Sequence, residues 1–242
     1  MSDNKVVFIT GAAQRLGANT ARYLHRAGYN IVIHYNRSKL DADRLAEQLN
    51  KQRDNSSYAL QGDLLSCDLQ GLAQQAASHW GRLDALINNA SSFYATPLEG
   101  VTITSWNDLI GSNLKAPLFL SQSCAPYIQQ NNGNIINMID IHYSTAMPQH
   151  VIYSAAKSGL AGLTRSLALE LAPLVRVNGI APGAILWPEN SSPEYQESIL
   201  NKIPLQHIGS ADDIAQAIQF LLEAPYVTGQ IINIDGGRSL NI

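Results

Sequence analysis

Seven short apolar runs, each separated from the next by a longer amphipathic stretch, leave few folds open to this chain. The runs at 6–10, 30–34, 58–61, 85–88, 134–139, 175–180 and 231–234 predict strands. The stretches at 15–28, 41–53, 73–80, 106–130, 153–171 and 211–222 predict helices. Gly28 stands where the first helix must end, and Pro173 stops another. Strand–helix alternation of this kind predicts an α/β fold: a doubly wound parallel sheet with helices on both faces. No Pro/Gly/Ser-rich linker or internal repeat interrupts it, so residues 1–242 are expected to form a single domain. A chain of 242 residues can bury a core without metal or disulfide. The stretch 183–204 has weak periodicity and three prolines, and predicts a mobile loop or lid.

The balance of charge, with Lys plus Arg at 16 and Asp plus Glu at 19, gives a net charge of −3. No basic excess is available to drive binding to a phosphate backbone, so nucleic acid is not an expected partner. Cys67 and Cys124 lie far apart and form no C-x-x-C pair, which argues against a disulfide scaffold or zinc-cysteine site. The six histidines show no compact ligand spacing, and no metal is expected. No apolar stretch of about 18 residues occurs, and the opening residues carry no long apolar run, so the expected address is the cytoplasm, away from membranes.

In such sheets ligands gather beyond the carboxyl ends of the strands. The first strand runs into Thr10, Gly11, Ala12, Ala13, Gln14, Arg15, Leu16 and Gly17, and then a helix begins. A glycine turn feeding a helix N-terminus favours a pyrophosphate, because free amides and the helix dipole point at it. The spacing resembles the T-G-x-x-x-G-x-G loop of short-chain dehydrogenase/reductases, and so implies a Rossmann-like fold binding through Gly11, Arg15, Leu16 and Gly17. Arg15 replaces the middle glycine and brings a guanidinium beside the phosphates. An NAD enzyme would place an acid after the second strand to hold the ribose 2′-hydroxyl. This chain has His34, Tyr35, Asn36, Arg37 and Ser38, which suit a 2′-phosphate, and NADPH/NADP+ is the predicted cofactor. Asp63 and Leu64 follow the third strand, where family members contact adenine. Asn88, Asn89, Ala90 and Ser91 resemble the family's N-N-A-G segment, with Ser91 replacing the glycine.

Tyr153 and Lys157 are one helical turn apart and share a face. A nearby ammonium favours tyrosinate and is expected to draw the phenol from about 10 towards neutrality. Together with Asn113, these residues resemble the catalytic set of the short-chain dehydrogenase/reductases, and the resemblance spans essentially the whole chain. It implies that Lys157 also holds the nicotinamide ribose and that Asn113 supports a relay water. Thirteen residues before the tyrosine, where ketone-reducing members usually carry Ser, stands Asp140. An ionised carboxylate opposes a developing alkoxide but stabilises a protonated nitrogen or an N–H edge, which favours reduction of C=N in an N-heterocycle.

Arg15, the segment from His34 to Ser38, the run Asn88 to Tyr94 and Asp140 together resemble the pteridine reductases, with the bacterial dihydromonapterin reductases as close relatives. The resemblance implies that the pterin or folate substrate stacks on Phe93 and touches Arg15, Ser91, Asp140 and Tyr153. It implies that Pro182 and Gly183 flank the nicotinamide and that Leu186 and Trp187 cover the substrate tail. It also implies a homotetramer, through the ending Asp235, Gly236, Gly237. Two other readings stay open: a carbonyl reductase of the 3-oxoacyl type, and a non-enzymatic NADP-binding sensor.

Overall fold

The computed structural model describes residues 4–187 and 191–241. The strands are β1 (Val6–Ile9), β2 (Asn30–Tyr35), β3 (Ser57–Gln61), β4 (Ala85–Asn88), β5 (Asn134–Met138), β6 (Arg176–Pro182) and β7 (Ile231–Ile234). The helices are α1 (Arg15–Arg26), α2 (Lys39–Gln52), α3 (Leu69–Ser78), α4 (Ile103–Ile110), α5 (Ala116–Ile128), α6 (Val151–Glu170), α7 (Pro193–Leu200) and α8 (Ala211–Glu223). All strands run parallel in one Rossmann-like sheet, in the order β3-β2-β1-β4-β5-β6-β7. Ile9 of β1 pairs with Ile33 on one side and Ile87 on the other. The chain turns one way after β1 and the other way after β4, which opens a crevice above their carboxyl ends.

Strands this apolar need cover on both faces. Val7 and Ile9 share a core with Ala21 and Leu24 of α1 and with Ile214 and Ile218 of α8. Val6 and Phe8 pack instead with Leu72 and Ala76 of α3 and with Leu120 and Cys124 of α5. The period-2 alternation of the strand sends successive side chains to opposite helical layers.

Three expectations are corrected. The stretch 106–130 is not one helix. It starts at Ile103, where Thr102 and Ser105 cap each other's backbone, and a π turn at Gly111–Lys115 separates α4 from α5. The helix expected from 73 begins at Leu69, because Asp68 accepts the Gln70 amide as its cap. The predicted lid contains α7: Pro193 occupies its first turn, and Ser192 accepts the Tyr195 amide. Residues 188–190 of that lid lie outside the described residues.

Candidate active site

The glycine turn is built for close approach. Gly11 takes φ +61, where a Cβ would be strained. A Cβ on Gly17 would strike the Gly11 carbonyl oxygen and come within 2.7 Å of Asn89 Nδ2. Gln14 caps α1 without a side-chain bond, and no acid stands in the first turn of that helix. The amides there keep no capping side chain, so the turn fits a pyrophosphate. Arg15 lies at φ +50, in the left-handed region, with its exposed side chain on the main cavity.

His34 corrects an expectation. It is buried: Nδ1 accepts the Gly11 amide at 3.1 Å, and Nε2 bonds the Gly62 carbonyl at 3.0 Å. Burial lowers its pKa to about 4 despite that carbonyl and the charge of Asp63, so the ring is neutral. It is a strut between the β1 turn and the end of β3, with no nitrogen left for a phosphate. Tyr35, Asn36, Arg37, Ser38 and Asp63 line a cavity of about 400 Å³ that shares Gly11 and Gln14 with the main one. Leu65 lines it too, whereas Leu64 packs on the core.

The loop after β4 is tied to the glycine turn. Asn89 Nδ2 donates to the Thr10 carbonyl at 2.8 Å, and the Ala90 amide donates to Thr10 Oγ1 at 2.9 Å. Asn113 lines neither cavity. The π turn aims its Nδ2 at the carbonyls of Ser92 (2.9 Å) and Leu109 (3.0 Å), so it braces the loop that carries Ser91 and Phe93. Its buried Oδ1 has no donor among the described residues. Phe93 is 56% exposed. Its ring stacks on His150 at 4.9 Å and meets Tyr153 edge-on at 4.8 Å, which makes it a wall of the site rather than core.

α6 presents Tyr153 and Lys157 from one face, both buried. Lys157 Nζ donates to the Met138 carbonyl at 2.7 Å and sits 5.6 Å from the centre of the Tyr153 ring. Tyr153 Oη donates to Asp140 Oδ2 at 3.1 Å. Asp140 Oδ1 accepts the His142 amide at 2.8 Å and pairs with His142 Nδ1 at 2.7 Å. Burial alone would raise the Asp140 carboxyl. The bonds from His142, then the charges of His142 and Lys157, outweigh it and hold the group below the usual carboxylate range. Burial lowers Lys157 to about 8, with Asp140 opposing. Burial raises the Tyr153 phenol, and the charge and hydrogen bond of Asp140 raise it further. The expected pull towards neutrality is therefore corrected: burial, reinforced by the carboxylate, holds the phenol up, and Tyr153 keeps its proton.

The main cavity, about 680 Å³, brings the glycine turn (Gly11, Arg15, Leu16, Gly17) together with Asn89, Ala90, Ser91 and Phe93. Asp140, Tyr153 and Lys157 form its floor, and Pro182, Gly183, Leu186 and Trp187 line it from the end of β6. Sequence reasoning missed His142, Tyr195, Ile199 and Arg238, which also line it. The Asp140-x-His142 spacing is an aspartate-capped turn and was a usable signal. Tyr195 and Ile199 sit on α7, within the stretch expected to be a loop or lid. Among the described residues no group of three His, Cys, Asp or Glu side chains is placed to hold a metal ion. Nor is any helix there long and apolar enough to cross a membrane.

A parallel sheet in this order, a glycine turn and a buried tyrosine–lysine pair define a short-chain dehydrogenase/reductase. A family model described as enoyl-(acyl carrier protein) reductase matches residues 11–239, and the chain belongs to the short-chain dehydrogenase/reductase superfamily, whose members use NAD(P)H. It is 37% identical to pteridine reductase 1 of Leishmania tarentolae over 279 aligned positions, covering 97% of this chain and 96% of that protein. It is 34% identical to the 3-oxoacyl-(acyl-carrier-protein) reductase of Staphylococcus aureus over 244 positions, covering 98% and 99%. The corresponding reductase of Staphylococcus epidermidis is 33% identical over 241 positions.

Proposed function

We propose that this reductase uses NADPH to reduce a C=N bond of a pterin, a dihydropteridine or dihydrofolate among them, to the tetrahydro form. The observation that carries the reading is the ionised Asp140, bonded by Tyr153 at 3.1 Å in a cavity walled by Phe93. A carboxylate there accepts from the amino-pyrimidine edge of a pterin and opposes a ketone's developing alkoxide. Phe93 offers a flat face, and an aromatic–base stack contributes about 1–3 kcal/mol. A bound NADPH supplies the hydride. Gly11, Leu16 and Gly17 hold its pyrophosphate, Arg37 and Ser38 its 2′-phosphate, Asp63 the adenine side, and Asn89, Ala90, Pro182 and Gly183 the nicotinamide side. Lys157 orients the nicotinamide ribose. Tyr153 keeps its proton until a basic ring nitrogen sits against Oη, and it donates there when an oxidised pterin is the substrate. Asp140 then balances the positive charge that grows on the ring. Support for a homotetramer comes from apolar side chains left exposed on helices, Phe119, Leu169 and Phe220 among them.

One observation favours a second reading: the 34% identity to a 3-oxoacyl-(acyl-carrier-protein) reductase. The test is NADPH oxidation against biopterin, dihydrobiopterin, dihydromonapterin, dihydrofolate and acetoacetyl-CoA. Turnover of a pterin with none of the thioester is expected, and dihydromonapterin as the best substrate would narrow the reading to that subgroup. Thioester turnover alone would reject the proposal. The Tyr153→Phe variant is expected to lose about 10²–10⁴-fold in reduction of oxidised biopterin, and full activity would remove Tyr153 from the acid role.

A further inference from the structure

Four formally charged side chains line the main cavity: Arg15, Asp140, Lys157 and Arg238. Three have employment. Arg15 stands on the turn that fits a pyrophosphate. Asp140 is bonded by Tyr153 and His142, and Lys157 donates to the Met138 carbonyl. Arg238 is left over. It forms no ion pair among the described residues, and its Nε is buried without a hydrogen-bond partner. The charge of Arg238 acts on the neighbouring Asp235 but the two form no ion pair: Asp235 Oδ1 accepts the Gly237 amide at 2.9 Å and Oδ2 accepts the Ser239 amide at 2.8 Å. Nor is the turn free to carry the arginine away. Gly236 accepts the Leu205 amide at 3.2 Å, and a Cβ on Gly237 would meet Pro204 Cγ at 2.9 Å.

A desolvated guanidinium N–H needs an acceptor, and the planar fork of arginine matches a carboxylate. The walls shared with it are apolar or aromatic: Leu186, Trp187, Tyr195 and Ile199. The cavity therefore offers, in one volume, a carboxylate for a polar ring edge, aromatic and apolar walls, and a guanidinium whose buried Nε lacks an acceptor. We propose that Arg238 receives a carboxylate on the substrate's tail, which makes a pterin with an acidic, folate-type tail the preferred class over one with a neutral side chain. The inference deepens the pterin reading and rests on it.

The experiment titrates folate and folate dimethyl ester into the NADP+-loaded protein by calorimetry, for the native chain, Arg238→Met and Arg238→Lys. The native protein is expected to bind folate at least tenfold more tightly than the ester. That ratio should fall below twofold in Arg238→Met and be partly kept in Arg238→Lys. A native protein with no preference for the free acid overturns the proposal. So does an Arg238→Met protein that weakens both ligands alike, or one that weakens NADP+ while the ratio survives. NADPH oxidation by the native protein with dihydrobiopterin reads the pterin assignment separately. Should no pterin be turned over, p-aminobenzoylglutamate becomes the probe, and equal binding to the native and Arg238→Met proteins rejects the role of Arg238.

Discussion

Asp140 and Lys157 hold opposite charges in one buried space, and each shifts the titration of the other. Burial draws Lys157 down to about 8, and the carboxylate keeps it from going lower. As pH rises through that value the ammonium is lost, and with it the group proposed to orient the ribose, so kcat/KM is expected to fall on the alkaline side. Asp140→Asn removes the charge that helps Lys157 keep its proton. The alkaline limb should then move to lower pH, while pterin kcat/KM falls by about 10²–10³ with the lost edge contact. Rate profiles of the two proteins decide it, and a limb that stays in place or moves up contradicts the coupling. Tyr153 and Lys157 were legible in the sequence because their four-residue spacing is a property of any helix. The direction of the phenol's shift was not, because it depends on how close Asp140 comes across thirteen residues of chain and how deeply all three are buried.

The strands could be read almost residue by residue, because burial on both faces writes an unbroken apolar run. The break at Gly111–Lys115 could not be read, since a π turn leaves the apolar periodicity nearly intact while it re-aims Asn113 at the Ser92 carbonyl. α7 was lost for the opposite reason. The prolines of the stretch 183–204 suggest a loop, yet Pro193 after Ser192 is a helix start. The start of α1 stores strain that a glycine would relieve. Arg15 at φ +50 costs roughly 1–2 kcal/mol, against about 0.5–1 kcal/mol of chain entropy that a glycine would add. Strain relief wins, so Arg15→Gly should raise Tm by about 1–4 °C. The same change deletes a cation at the pyrophosphate turn, and NADPH affinity should drop about tenfold or more. Scanning calorimetry and fluorescence titration read the two effects. A lower Tm with affinity retained would mean that Arg15 serves the fold and not the cofactor.

Across the molecule, the two cavities follow the carboxyl edge of the sheet from the end of β2 to the end of β6, meeting at Gly11 and Gln14. That continuity would give an extended dinucleotide one track, and on the proposed reading the β2 end is where NADP and NAD are told apart. There Arg37 is exposed and forms no ion pair among the described residues, and the Ser38 side chain makes no capping bond at the start of α2. Asp63 and Asp108 line the same cavity, but their carboxylates already accept from the Leu65 amide and Ser92 Oγ. On the proposed reading a 2′-phosphate meets a cation, a hydroxyl and the N-terminus of α2, where only the Lys39 amide is already spent, on the Arg37 carbonyl at 2.9 Å. One charge-assisted bond contributes about 1.5–3 kcal/mol, so Arg37→Ala should cut the NADPH-over-NADH ratio of kcat/KM by about 10–100-fold. Because the guanidinium is in solvent, the native ratio should also shrink between low salt and about 0.5 M salt, and the variant's ratio should shrink less. Kinetics with both nucleotides at two ionic strengths measure this directly. A ratio untouched by the substitution would move the discrimination away from Arg37, to the Ser38 hydroxyl or to the Gln14–Asp41 contact at 2.5 Å.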